Sequence, residues 1–358
     1  MARSALLLSG ADLARWRREH AAGDRPAALP YGAEALEQNG FRVDGVQLSD
    51  RRVATKARDV VEHRLGIPVA RTVKGAVKVA RADLVIASLE REAIAMSALR
   101  RAHVPPYRRA PLVALTCWLA DDARGADEAT RAQLLARFAN VDAFVYWSRN
   151  QTPILRELGI AERKLVPVGF CADTDYFTPD PSVPQDIELL AVGQDGGRDY
   201  ATLFDAVRGT GLVVDIVCPV SYLPPDIPQE NVRLHGVVDS RAYAAMLRRA
   251  KVVVVPTHER AYPTGQSVAL EASATGACVV VTGSTPLREY FTHEQDALLV
   301  DVHDPADLRA RLRQALGDEA LRRRVGAGAR ANVTGRFTAD IMWRDILTAL
   351  RNRELLPA

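Results

Sequence analysis

Glu271 stands in the run VALEASA, where apolar neighbours make an unpaired carboxylate costly. It therefore needs donors. Two sources fit its chemistry: the hydroxyls of a ribose, which can give two hydrogen bonds to one carboxylate, or one of the chain's many arginines. The stretch before it, PTHERAYPTGQSVALE, follows the strand-like run AKVVVV and leads into a helix. Gly265 permits close backbone approach there, and a helix start offers unpaired amides to an anion such as a diphosphate. Ser267 adds a hydroxyl, for phosphate or for the helix cap, and a plain capping turn explains TGQS equally well.

Other chemistries find less support. Cys117, Cys171, Cys218 and Cys278 are scattered, mostly in apolar runs such as DIVCPV and GACVVV, as suits buried thiols in a reducing compartment. No C-x-x-C or Cys/His spacing suggests zinc. No G-x-G-x-x-G follows the first strand of either half, which argues against a nicotinamide dehydrogenase. Net charge is +3, yet Arg51, Arg52, Lys56, Arg58, Arg64, Arg71, Lys74, Lys78 and Arg81 gather in the first third. A solvated helix face accounts for them, and so does attraction to an anionic acceptor or a membrane surface. They lack the interleaved aromatics of a nucleic-acid platform, so no nucleic acid is expected as partner.

These residues need elements to position them. At 358 residues, 48% hydrophobic and 25% charged, the chain has the length and composition for two globular domains. The apolar run in MARSALLLSG is too short for a signal-peptide core, and no stretch approaches the roughly 20 apolar residues that span a bilayer. A cytoplasmic protein is expected, with peripheral contact at the inner face of the membrane left open. Strand-like runs recur as SALLLSG, FRVDGVQLS, ADLVIAS, PLVALTC, VDAFVYWS and KLVPVGF, with amphipathic stretches between most of them. The run TPDPSVPQD reads as a connector. After it come IELLAVG, LVVDIVCP, NVRLHGV, AKVVVVPT and ACVVVTG, alternating with the helical stretches DYATLFDAVRGTG, SRAYAAMLRRA and SVALEASATG. The expected fold class is α/β, with two parallel sheets in Rossmann-like domains facing across a cleft, since ligands bind beyond the carboxyl ends of such strands.

With those segments in order, the second half resembles the nucleotide-sugar-binding domain of family GT4 glycosyltransferases. The resemblance is carried by AVGQDGGRDYATLFDAV, NVRLHGVVDSRAYAAMLRRAKVVVVPT, GQSVALEASATGACVVVTG and REYFTHEQDALLVDVHDP. Upstream, NVDAFVYWSRNQTPILRELGIAERKLVPVGFCADTDYFTP resembles the segment that closes the family's first domain. The part before about Leu112 fits by pattern alone. The resemblance implies a GT-B fold with residues 1–180 as acceptor-binding domain and 181–338 as nucleotide-sugar-binding domain. Residues 339–358 form a C-terminal helix expected to pack back on the first domain.

It also implies roles. Glu271 matches the second, ribose-binding glutamate of the family's E-x7-E signature, whereas Pro263 stands where the first glutamate would be. Glu259, in the same loop, is the candidate substitute. Gly265, Gln266 and Ser267 match the loop over the diphosphate and donor sugar. Arg198 takes the lysine position of a basic pair on the diphosphate, and Gln194, next to Gly193, stands where the arginine is frequent. A structural ion pair of Arg198 with Asp195 or Asp199 is the competing reading. Val237 matches a position that holds the base through its backbone. In PLVALTCWLADD, Trp118 replaces a frequent histidine; it floors the sugar pocket or belongs to the core, and Asp121 or Asp122 handles acceptor hydroxyls or caps a helix.

The implied reaction moves a sugar from a nucleotide-sugar, UDP- or GDP-linked, to an acceptor hydroxyl with retention of configuration and no metal or cofactor. Arg198, loop amides and a helix dipole would stabilise the departing diphosphate. A small natural product is the favoured acceptor, with a lipid-linked one as the other option, and the Ala- and Arg-rich usage points to a bacterial source. Two alternatives stand beside this: a nucleotide-sugar epimerase, and an inactive nucleotide-sugar-binding subunit suggested by Pro263 and Trp118.

Overall fold

Strands covered on both faces read as continuous apolar runs without alternation, and that is the pattern here. Leu84–Ala87, Leu112–Leu115, Ala143–Tyr146 and Cys278–Thr282 are buried along their whole lengths. The structure, a computed structural model, describes residues 3–47, 62 and 69–357. Arg51, Arg52, Lys56, Arg58 and Arg64 of the basic cluster lie outside the described residues. The chain divides into two compact units, one of Met1–Ala21, Ala27–Val168 and Asp340–Ala358, the other of Ala22–Pro26 and Gly169–Ala339.

In the first unit β1 (Arg3–Leu8), β2 (Phe41–Gly45), β3 (Leu84–Ala87), β4 (Leu112–Leu115), β5 (Ala143–Tyr146) and β6 (Leu165–Pro167) form a parallel sheet in the order β2-β1-β3-β4-β5-β6. The last helix, Ala339–Arg351, buries Met342, Trp343, Ile346, Leu347 and Leu350 along one face. Trp343 Nε1 donates to Tyr31 O at 2.9 Å, and residues from Asp340 onward group with this unit.

The second unit repeats the architecture. Strands β7 (Ile187–Val192), β8 (Val214–Val217), β9 (Val232–Leu234), β10 (Ala250–Val255), β11 (Cys278–Thr282) and β12 (Leu298–Val300) lie in the order β12-β11-β10-β7-β8-β9, all parallel. The order reverses between β7 and β10, whose Leu189 and Val252 are partners. The loops leaving these two strands therefore start side by side, at the point where open parallel sheets bind ligands. Asp199, Asp239 and Asp304 cap the helices that follow β7, β9 and β12, and Asp318 caps the helix that follows Pro305–Gly317, each accepting a backbone amide.

Two expectations need correction. β12 is a strand that local pattern did not mark, because three residues, LLV, are too few to show a period; pairing of Leu299 with Val281 makes it one. The division falls at Val168–Gly169, ahead of the proline-rich run, because the intervening segment packs on the second unit. Phe170 N donates to Tyr290 Oη at 2.8 Å, Ala172 N to Phe337 O at 2.9 Å, and Phe177 is buried in that unit's core. Among the described residues no helix is long and apolar enough to cross a membrane.

Candidate functional site

β7 ends at Val192 and the chain turns through Gly193 towards Arg198. Gly193 has φ of +144°, and any Cβ there would collide with the Arg198 guanidinium, so glycine is what lets that side chain lie flat against the turn. The loop after β10 is stitched to this one. Asp199 N donates to Pro256 O at 3.0 Å, His258 N to Gly197 O at 2.9 Å, and Arg198 and Thr257 form an antiparallel bridge. Asp195 ties the ends together: Oδ1 accepts from Gly197 N and the Thr264 hydroxyl, each at 2.9 Å, and Oδ2 from Arg198 Nε at 2.9 Å. Burial works to raise the Asp195 carboxyl, but the charge of Arg198 and these hydrogen bonds outweigh it and hold the group below its ordinary range.

The ion pair with Asp195 is thus present, as the competing reading of Arg198 had it, and it does not use the whole guanidinium. The Arg198 side chain is 4% exposed, and its Nη1 is buried with no hydrogen-bond partner. That nitrogen lies 3.0 Å from where a Cβ on Gly265 would sit. Gly265, with φ of +84°, occupies the cap position of the helix Gln266–Ala274, and no side chain caps that end. Ser267 is therefore not the helix cap; it is a partly buried residue of the first turn. An orphaned guanidinium N–H and an uncapped helix start, side by side, are an arrangement in which charge and dipole can act together on an anion.

Glu271 follows on the same helix, partly buried. Its protein partner is not an arginine: Tyr243, from the helix Ser240–Arg249, donates its hydroxyl to Oε2 at 2.6 Å. Burial pushes the Glu271 carboxyl up to about 7, against the Tyr243 hydrogen bond and the charge of Arg198, which lower it. The same burial, with the charge of Glu271, drives the Tyr243 phenol well above its ordinary value, so it stays a donor. Among the described residues only Tyr243 donates to this carboxylate.

Tyr243 also lines a concavity of about 200 Å³ with Val192, Gly193, Gln194, Val217, Cys218, Pro219, Gly236, Val237 and Val238. Glu271, through Tyr243, and Arg198, through Gly193, are therefore contiguous with one mainly apolar hollow. Val237 is 73% exposed at its rim and Gln194 is exposed as well. A carboxylate between an anion cradle and an apolar hollow is an arrangement that can hold diphosphate, sugar and base in sequence.

The remaining candidates fall elsewhere. Both Glu259 carboxylate oxygens face the Thr285 amide, at 3.0 and 3.3 Å, and Gln266 and Pro263 are buried in the loop and helix start. Trp118 belongs to the first unit, where it is 45% exposed at the start of the helix Leu119–Ala123, so it is not a core residue. Asp121 pairs with Arg124 at 2.9 Å, and burial, then the Asp121 charge, raise Asp122. Sequence reading missed Tyr243, which carries no local signal in RAYAAML, and Glu90. Glu90 Oε1 accepts from the amides of Cys117, Trp118 and Leu119 at 2.6, 2.7 and 3.1 Å, a buried carboxyl that organises the Trp118 segment.

Residues 227–332 match the family described as Glycosyl transferases group 1. The chain is 32% identical over 149 residues to a D-inositol 3-phosphate glycosyltransferase of Xylanimonas cellulosilytica, covering 42% of this chain and 32% of that protein. It is 33% identical over 117 residues to a glycogen synthase of Mycobacterium tuberculosis, covering 33% of this chain and 27% of that one. The matched stretch thus spans a third or less of either relative. Among solved structures, a sucrose-phosphate synthase from Thermosynechococcus elongatus superposes with a TM-score of 0.70 at 16% identity, covering 99% of both chains. The Anabaena protein HepE, in complex with UDP and glucose, gives 0.68 at 15% identity, covering 98% of this chain and all of that one. The chain therefore has the GT-B fold, and its residues 227–332 are similar to the group 1 glycosyl transferases.

Proposed function

We propose that this protein is a glycosyltransferase that moves a sugar from a nucleotide-sugar donor to an acceptor hydroxyl with retention of configuration. The observation that carries the reading is the buried, unpartnered Arg198 Nη1 beside the uncapped helix start at Gly265, with Glu271 further along the same helix. In this reading Arg198 and the amides around Gly265, Gln266 and Ser267 hold the diphosphate and stabilise it as it departs, worth several kcal/mol in a desolvated site. Glu271 Oε1 accepts from the ribose while Tyr243 holds Oε2, and the hollow beside Val237 and Gln194 takes the base. The transfer step uses this cation and these dipoles and no divalent ion or cofactor. The similarity to group 1 transferases and to a structure described with UDP and glucose supports a UDP-sugar first, a GDP-sugar second. The first unit, with Trp118 and Asp121, binds the acceptor, a small molecule or a lipid-linked one met at the inner membrane face.

The test is a thermal-shift screen against UDP-, GDP-, ADP- and dTDP-sugars, followed by assay of nucleoside diphosphate release with candidate acceptors. Stabilisation by one donor class with acceptor-dependent release supports the proposal. An isomerised donor assigns an epimerase instead. Tight binding without turnover assigns a binding subunit, the reading favoured by Pro263 in place of a glutamate and by the Glu259 carboxylate already facing the Thr285 amide.

A further inference from the structure

Behind the Arg198 cradle three loops of the second unit meet at one point. Asp199, whose side chain is 3% exposed, caps the helix Tyr200–Val207 through Oδ1, which accepts from Thr202 N at 3.0 Å. Its Oδ2 accepts from the Thr202 hydroxyl at 2.7 Å. His303, from the loop after β12, brings Nδ1 to 2.8 Å from that same oxygen. His258, from the loop after β10, brings its own Nδ1 to 3.7 Å from it. The two imidazole rings lie 5.1 Å apart, and one ligating atom from each of the three residues lies within 4.8 Å of the others.

A helix cap does not account for this convergence. The cap is already complete in the Thr202 amide, and two imidazoles on one capping carboxylate exceed it. His303 moreover holds φ of +59°, a left-handed backbone that a residue other than glycine keeps at a cost. What the three residues share is ligand chemistry: two imidazole nitrogens and one carboxylate oxygen suit a divalent first-row transition metal. Bonds of about 2.0–2.1 Å to zinc place neighbouring tetrahedral ligands roughly 3.3 Å apart, so the set needs His258 to close slightly on the carboxylate and His303 to open slightly from it. His258 and His303 are 36% and 58% exposed, which gives an ion a path in and lets water complete its coordination.

We propose that Asp199, His258 and His303 form a binding site for a divalent transition-metal ion of the zinc class. The ion ties the loop that carries Arg198 to the loops after β10 and β12, and it takes no part in bond making or breaking. This site is separate from the donor site, and its test needs neither donor nor acceptor.

The test uses the full chain, freed of any affinity tag and stripped with a chelator, titrated with zinc against a chromophoric competitor and with cobalt as a spectroscopic probe. The expected result is one tight equivalent per chain, a visible cobalt absorption and a higher unfolding temperature with zinc. His303→Gly, which suits the left-handed backbone and so keeps the fold, and His258→Ala should each weaken binding by more than about 10-fold. His235→Ala, in the separate His235–Asp215 pair, should leave it unchanged. Absence of a saturable equivalent, or affinity unchanged in both His303→Gly and His258→Ala, overturns the proposal.

Discussion

Tyr243 donates its hydroxyl to Glu271 Oε2 over 2.6 Å, so a carboxylate raised by burial is oriented by a neutral donor and not by an opposite charge. Tyr243→Phe removes one hydrogen bond to a charged group, worth about 1.5–3 kcal/mol, and frees the carboxylate to rotate. UDP-sugar binding is expected to weaken about 10-fold, measured by calorimetry. Glu271→Ala removes the acceptor altogether and should abolish the thermal shift given by the donor. An undiminished shift in Glu271→Ala sinks the ribose assignment.

The raised Glu271 pKa sets a pH dependence. Its folded value of about 7 lies above the ordinary 4.5, so the folded state holds the proton more tightly than the unfolded chain does. The stability this group contributes is fully present below about 4.5 and is lost as pH rises through about 7. The unliganded protein should melt at a lower temperature at about pH 8 than at about pH 5.5 by a component that Glu271→Gln removes. Donor affinity should run the other way, increasing over the same range, because two ribose hydroxyls donate best to the ionised form. In Tyr243→Phe the midpoint of that increase should move to higher pH, since the lost hydrogen bond lowers the pKa in the wild type.

Arg198 is expected to read phosphate, not nucleoside. Arg198→Met should weaken a nucleoside diphosphate by about 100-fold, the equivalent of one or two charge-assisted hydrogen bonds, and leave the nucleoside nearly unchanged. Arg198→Lys keeps the charge without the fork and should fall between. Equal losses for nucleoside and nucleoside diphosphate in Arg198→Met would place this residue away from the phosphates.

Gly265→Ala combines two faults. The left-handed backbone at φ of +84° costs a non-glycine residue about 1–2 kcal/mol, and the new methyl would meet Val255 Cγ1 at 2.7 Å and Arg198 Nη1 at 3.0 Å. Val255 is a buried strand residue with nowhere to go, so the melting temperature should drop and the donor-induced shift should vanish. Gly196→Ala, where a Cβ meets nothing within 4 Å, serves as the control and should melt like the wild type.

In the first unit, Glu90→Ala strands the amides of Cys117, Trp118 and Leu119 and is expected to cost about 3 kcal/mol or more in denaturant unfolding. Burial raises the Glu90 carboxyl, and its Oε2 is buried without a partner, so the group tolerates neutrality. Glu90→Gln, which keeps the accepting oxygen, should retain most of the stability; losses as large as those of Glu90→Ala would show that charge, not hydrogen bonding, organises this segment.

Local order was legible in the amino-acid sequence because it is written in neighbours. Runs such as AKVVVV and CVVVT must be buried on both faces, which dictates parallel strands and an α/β fold. Gly265 before a helix and Glu271 within its apolar part stand close in sequence, so their chemistry could be read without coordinates. Partnership could not. Tyr243 reaches Glu271, Thr264 reaches Asp195 and Glu90 caps a turn at Cys117, Trp118 and Leu119, all because the fold lays together segments that are far apart along the chain. β7 and β10 are neighbours only in the sheet, and it is their adjacency that leaves Arg198 Nη1 beside Gly265. Periodicity reports which face of an element is buried; which buried group meets which is decided by packing in three dimensions.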